Sequence, residues 1–374
     1  MMEGKIPENV LKRSILKEIQ LKKTDEITGA AFGEDCAILN CKKNGTLAAA
    51  ASFGLGVDGA EIAVIKAANN LAACGYNIKY VLVSLILPVD AEEENLKAVE
   101  RAIKKECDKL GALIIGGHTE VSSIISADDS DASADDSKDA INSSNDSDEK
   151  SAGNKGRIAV NISAMGIPFE TEEGSDYSEG KSIESDNEKI LPNKKSIKPG
   201  DSILVTKSIG LEGTYLILKE KKDEIEARFG KSFTEIFDVT SDDFSIIEEA
   251  KAATSINVKA MKDVSEHGIF GALWELADIA GCGLRADVKA IPARQEVIEI
   301  CNFYDINPYE LKSSGMLLIV CDNPEETMEK LNEKGIECAL IGEFTNDNNK
   351  IVTNKEDIRH LEKIKQDEIY KVLK

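Results

Sequence analysis

Two stretches of this 374-residue chain cannot join a hydrophobic core, and they bound what the rest can fold into. Asp128 to Lys150 carries nine acidic and two basic residues, and Glu170 to Lys189 carries eight and two. Their net charges of −7 and −6 sum to −13 of the chain's −22. Both are rich in Ser, Asp, Asn and Glu and nearly free of large apolar side chains, so burial cannot offset the entropy of ordering them. They read as disordered, solvated insertions, surface loops rather than partner-binding segments. The remainder is only moderately acidic, and the acidic balance argues against nucleic-acid binding.

Outside these stretches the chain alternates short apolar runs with helical periodicity. A helix is predicted over Leu11–Leu21, then strands at 37–39 and 46–52 joined by an Asn44-Gly45 turn. From Glu61 apolar residues recur every three to four positions, a helix ending near Gly75. Tyr80 to Leu87 is a continuous apolar strand closed by Pro88, and a helix with Leu96, Val99, Ile103, Cys107 and Leu110 on one face follows. Ala112 to Ile115 forms the next strand, running into a Gly116-Gly117 turn, and Ile158 to Met165 another. Pro199-Gly200-Asp201 opens a second half. There, strands are predicted at 202–206, 256–261, 316–321, 338–344 and 350–353, and helices at 212–221, 243–254, 269–280 and 325–334. The charged segment 355–374 reads as a terminal surface helix.

At 42% hydrophobic content this order fits two α+β or α/β domains, with a boundary near residues 190 to 200. No apolar run is long enough to span a bilayer, and the start of the chain lacks a signal-peptide core, so a cytosolic protein is expected. The eight cysteines form no CxxC pair and sit mostly in apolar segments, as buried free thiols do. With three histidines, a His/Cys zinc site is not expected.

Four segments gather glycines and polar groups at strand or helix ends. Gly33-Glu34-Asp35 sets two carboxylates before a strand, and Asp35 is the kind of oxygen ligand Mg²⁺ takes beside substrate phosphates. Asn69-Asn70 places two amides inside a helix, either as site contacts or as a cap in a bent helix. Gly116-Gly117-His118-Thr119 frees backbone N–H groups for an anion, though in isolation a plain turn is the favoured reading. Asp263 to Gly268 enters a helix whose N-terminus can hold an anion; the alternative is a simple Ser/Asp cap.

Taken in order, these segments and the runs YVLVSLILP, GLEGTYLIL, NPYELKSSGMLLIV and CALIGEF resemble the aminoimidazole-ribonucleotide-synthetase-like (AIR-synthase-like) superfamily, nearest its hydrogenase-maturation-factor-like branch. The resemblance covers the chain from about Gly4 to Thr353, apart from the acidic insertions. It implies an N-terminal domain (1–169, with an insertion at about 126–156) that pairs into a dimeric barrel-like sheet. An acidic linker (170–195), a C-terminal α/β domain (196–354) and the terminal helix (355–374) would follow.

The resemblance also implies an ATP-dependent enzyme acting on an unnamed small molecule, a homodimer with neither membrane nor nucleic-acid partner. By position, Asp35 would be a metal or phosphate ligand, and Asn69 and Asn70 would face the nucleotide. Gly116, Gly117, His118 and Thr119 would line the phosphates, and Asp263 with Gly268 would close the pocket. Departures count against a full Mg²⁺ site. Asn70 and His118 stand where metal-binding relatives often carry Asp, and an Asp is missing near Ser52-Phe53-Gly54. His267 stands where Gly is usual. The alternatives are a nucleotide- or partner-binding protein with a degenerate metal site, and a thiamine-monophosphate-kinase-like enzyme. The final residues Tyr370-Lys371-Val372-Leu373-Lys374 lack the terminal cysteine of the carbamoyl-dehydrating relatives, so that chemistry is not expected.

Overall fold

The computed structural model describes residues 8–10, 12, 27–28, 34–40, 45–123, 157–169 and 191–373. Both acidic stretches, Gly33, Asn44 and all of the Leu11–Leu21 segment but Lys12 lie outside the described residues. Strands β1 (Ile27–Thr28), β2 (Ala37–Asn40), β3 (Thr46–Leu55), β4 (Tyr76–Leu87), β5 (Leu113–Val121) and β6 (Ala159–Pro168) form one sheet, in the order β1-β2-β3-β6-β4-β5. Helix α1 (Gly56–Ala72) follows β3, and α2 (Glu93–Lys109) follows β4.

The chain divides into two compact units. One comprises Met1–Ala51, Ile65–Tyr80 and Ser163–Lys374; the other comprises Ser52–Val64 and Val81–Ile162. This division cuts across the expected boundary near 190–200. The C-terminal end of α1 packs with the later chain, Ala72, Ala73 and Phe169 sharing one core with Leu204, Met261 and Leu317.

The larger unit is built on a seven-stranded sheet. Its strands β7 (Ser202–Thr206), β8 (Ala260–Val264), β9 (Gly283–Asp287), β10 (Met316–Cys321), β11 (Cys338–Thr345), β12 (Lys350–Asn354) and β13 (Asp357–His360) run in the order β13-β12-β9-β11-β7-β10-β8. The pairs are antiparallel except β9 with β12. Successive strand residues point to opposite faces, and both faces are covered. Met316, Leu318 and Val320 join Ile203 and Val205 in one core, against Ile269, Leu273 and Leu276 of helix α7 (Gly268–Ala280). Leu317, Ile319 and Cys321 join Leu204 in the other, against Ala250 and Ala253 of helix α6 (Ile247–Ser255). The sequence MLLIVC carries no polar residue because neither face of β10 meets water. Helices α3 (Leu211–Glu220), α4 (Lys222–Phe229), α5 (Lys231–Ile236), α8 (Gln295–Phe303) and α9 (Pro324–Glu333) complete the unit.

Residues 355–374 do not form the expected helix. Lys355 adopts a left-handed backbone (φ +57°), and the chain folds back as a two-residue hairpin that pairs Asn354 with Asp357. Sheet pairing and burial of Leu361 and Ile369 override helix propensity, leaving one 3₁₀ turn at Glu368–Lys371. The strand expected at 256–261 lies at 260–264.

In the smaller unit Val81, Val83, Leu85 and Leu87 of β4 turn inward, while Leu82 and Ile86 are exposed. The apolar run therefore faces two ways rather than being buried throughout. The expected Gly116-Gly117 turn does not form, because β5 continues through both glycines to Val121 with every residue exposed. A Cβ on Gly117 would stand 1.7 Å from the Val83 carbonyl oxygen, so close strand approach demands the glycine. Gly117→Ala is expected to cost about 1–3 kcal/mol or more, read as a lower urea midpoint, with Thr119→Ala near wild type. Equal midpoints for the two variants would refute this packing.

Candidate active site

Charged side chains that interrupt apolar segments converge inside the larger unit. Asp35, in the bend before β2, receives Lys194 Nζ at 2.8 Å and Lys262 Nζ of β8 at 2.9 Å, one on each carboxylate oxygen. Lys262 also reaches Glu275 of α7 at 3.0 Å, and Glu34 lies 3.5 Å from Lys194. Burial pushes the Asp35 carboxyl up, but the two ammonium groups together outweigh it and hold the group below its ordinary value.

A second cluster centres on Lys66 of α1. Its ammonium sits 3.1 Å from Glu212 of α3 and 2.6 Å from Glu266. Glu212 accepts from Ser314 Oγ at 2.6 Å, and Glu266 lies 3.5 Å from Lys312. Burial disfavours charge on Lys66, yet Glu212 and Glu266 raise it above an ordinary lysine. Glu266 is driven well below the ordinary range against burial by Lys66 and Lys312.

Asp263 of β8 stands apart from these matched pairs. It is buried, and its Oδ1 has no hydrogen-bond partner. Burial first, and repulsion from Asp35 second, push its carboxyl up to about 8 despite Lys262 and Lys66. An unpartnered buried oxygen costs free energy that the neutral acid lowers, so Asp263 keeps its proton at neutral pH.

Asn69 is a clamp within the unit. Its Nδ2 donates to the Phe244 carbonyl at 2.7 Å and its Oδ1 accepts from Ile246 N–H at 3.0 Å. Both amide groups are spent on backbone, which explains a buried Asn in mid-helix; Asn70 is half-buried beside it. Gly268 has φ +56°, and a Cβ there would meet the Tyr309 and Leu311 carbonyl oxygens at 2.5 and 2.7 Å. His267, at φ +65°, occupies a left-handed position that costs a non-glycine residue about 1–2 kcal/mol. Its N–H donates at 2.6 Å to Asp367 Oδ2, from a hundred residues downstream. Asp367 also accepts from Lys312 and Ile369 N–H groups at 3.3 and 3.0 Å, and burial pushes its carboxyl up to about 6 against those donors.

The structure thus gathers Asp35, Asn69, Asn70, Asp263 and Gly268 in the larger unit. It places Gly116, Gly117, His118 and Thr119 on the exposed strand β5 of the smaller one, where His118 pairs with Glu120 at 3.1 Å. Sequence reasoning missed Lys66, Lys194, Lys262, Glu212, Glu266, Glu275, Lys312 and Asp367. A signal existed for three: Lys66 within IAVIKAANN, Lys262 within KAMKDV and Glu275 within ALWELA are charges set into apolar runs.

The N-terminal domain model of AIR synthase related proteins matches residues 33–132, and the C-terminal domain model matches 198–355. The chain belongs to the AIR synthase-related family. A Methanocaldococcus jannaschii protein named provisionally for hydrogenase expression and formation is 22% identical over 93% of this chain and 90% of its own. Carbamoyl dehydratase HypE of Rhizobium leguminosarum is 27% identical over 41% of this chain, so the match spans less than half (43%) of that relative. The fold is that of hydrogenase maturation protein HypE solved in complex with ATP, with a TM-score of 0.62, 18% identity and coverage of 98% and 97%.

The donor set does not suit the Mg²⁺ ion that Asp35 would hold. Both Asp35 oxygens carry ammonium groups, and no cluster of three His, Cys, Asp or Glu able to hold a metal ion occurs among the described residues. No helix among them is long and apolar enough to cross a membrane.

Asn69→Ala is expected to lower stability by about 1–3 kcal/mol for each backbone group left unpaired, measured by chemical denaturation. An unchanged midpoint would show that the clamp is not formed. Asp263, raised in the folded state from 3.8 to about 8, contributes stability that is full below pH 4 and lost as pH rises toward 8. Asp263→Asn should remove that loss and melt higher than wild type near pH 9. Parallel pH profiles of melting temperature for the two chains would refute the assignment.

Proposed function

We propose that this protein binds ATP and activates a small-molecule substrate by phosphoryl transfer, within the hydrogenase-maturation-like part of the AIR synthase-related family. The observation that carries this reading is Asp263, a buried carboxyl with an unpartnered oxygen, which burial and Asp35 push up to about 8 against Lys262 and Lys66. Strongly perturbed titratable groups cluster at functional sites, and Asp263 differs from the perturbed ion pairs in having an oxygen that nothing among the described residues uses. A carboxylic acid kept neutral donates a hydrogen bond to an anionic oxygen where a carboxylate would repel it. Asp263 in that form suits a phosphate oxygen, with the lysines offsetting its charge. Binding of ATP by the structurally similar HypE supports the choice of nucleotide. The Gly116–Thr119 stretch enters this reading through family resemblance alone.

Asp35 favours a second reading, a nucleotide-binding protein that does not turn ATP over. Its two oxygens, expected for Mg²⁺, are held by Lys194 and Lys262. The smaller unit also exposes Phe53, Leu55, Leu82, Ile86, Leu113, Ile114 and Ile115, the apolar face a homodimer would cover.

Melting temperature with millimolar ATP, with and without Mg²⁺, separates the readings. ATP must raise the midpoint by mass action if it binds the native state. Asp263→Asn, which keeps a donor, should retain most of the rise, and Asp263→Ala should lose it. A Mg²⁺-enhanced rise with phosphate release supports the enzyme; a Mg²⁺-independent rise without release supports the binding protein. No rise at all refutes both.

A further inference from the structure

Seven of the cysteines lie among the described residues, and two of them meet. Cys36, directly after Asp35, and Cys74, in the turn after α1, line one cavity of about 220 Å³. Their thiols are near enough to act on one another. Each side chain is nearly but not fully enclosed, at 8% exposure, and Glu34, Leu191, Pro192 and Lys194 form the surrounding wall. The close wall is built by Gly75, whose left-handed backbone (φ +86°) and missing side chain let Leu191 and Pro192 approach; a Cβ there would stand 2.9 Å from Leu191.

What distinguishes this pair is that two thiols line one cavity, with Lys194 in the same wall. The Lys194 ammonium acts on both sulfurs: it favours the Cys36 thiolate, and Cys74 in turn favours the charged lysine. A cation beside a partly accessible thiol is the usual environment of reactive cysteines. Cys301 and Cys107 are pushed up by burial to about 12 and about 11, Cys107 despite Lys104, and neither lines this cavity. Cys36 is itself pushed far up, by the neighbouring Cys74 and by burial, and so reacts from the thiol.

We propose that Cys36 and Cys74 are a redox-active dithiol that small-molecule disulfides convert to an intramolecular disulfide. The exchange balances without any other reactant. One cysteine sulfur attacks the reagent disulfide, breaking its S–S bond and releasing one thiol. The second cysteine then gives its proton to solvent and attacks the first, breaking the mixed S–S bond and releasing the other reagent thiol. Two protein S–H bonds become one S–S bond, and one reagent disulfide becomes two thiols. The new bond would tie the segment holding Asp35 to the end of the helix holding Lys66 and Asn69, so it acts on the charged clusters without touching a ligand.

The test treats the native full chain with millimolar oxidised glutathione, caps free thiols with N-ethylmaleimide and maps peptides by mass spectrometry. Cys41→Ser is used throughout, because Cys41 shares a tryptic peptide with Cys36. The expected product joins the Cys36 and Cys74 peptides with loss of two hydrogens, reverses with dithiothreitol and melts at higher temperature than the reduced chain. Adding Cys36→Ser or Cys74→Ser should leave a stable glutathione adduct on the remaining partner, because no second thiol resolves it. The proposal is overturned if both cysteines are recovered capped, if the Cys36/Cys74 chain stops at the adduct, or if the cross-link joins other cysteines.

Discussion

Burying lysine is the constraint on which the larger unit depends. A lone ammonium in the interior costs several kcal/mol, and breaking a buried pair costs a comparable amount. Lys262 must therefore find Asp35 and Glu275, and Lys66 must find Glu212 and Glu266. These partners come from a bend before β2, from α3, and from α7 with the loop leading into it, three stretches far apart in sequence. Apolar packing alone tolerates small slips between such elements; these charges do not. The seven-stranded sheet supplies the rigid base, with apolar residues on both faces of β10 fixing β7 and β8 on either side of it.

The same matching defines what the site can do. Lysines hold Asp35 and Glu266 below the ordinary carboxylate range, while burial pushes Asp263, with one oxygen unmatched, up to about 8. Two aspartates in neighbouring positions of the fold thus reach opposite protonation states at neutral pH, because one faces two ammonium groups and the other faces burial and a like charge. That separation leaves one acidic proton inside a charged interior of the larger unit. It also accounts for the poor fit to a divalent ion, since the oxygen atoms such an ion would need are bonded to nitrogen.

Much of the fold was legible in the sequence. Strong periodicity located α1, α2 and α7, and apolar runs located β4, β7, β10 and β11, because each signal arises from burial that the final structure keeps. The errors came where tertiary pairing overrode local preference. The charged segment 355–374 reads as a helix, yet residues 357–360 pair with β12. Gly116-Gly117 reads locally as a turn, but the glycines are needed because β4 passes within contact of them. At the site, glycines and aspartates stand out in a motif search while lysines do not, so Asp35 and Asp263 were found without the residues that set their charge. Only a charge lodged in an apolar run, as at Lys66 and Lys262, betrays a buried ion pair from sequence.

The bond from His267 N–H to Asp367 has a consequence for biosynthesis. The loop that leads into α7 is completed by a carboxylate a hundred residues downstream. During translation α7 therefore emerges with its first turn unmet, and Asp367 follows a hundred residues later. The strained backbone at His267 is secured only after β9 to β13 have been synthesised.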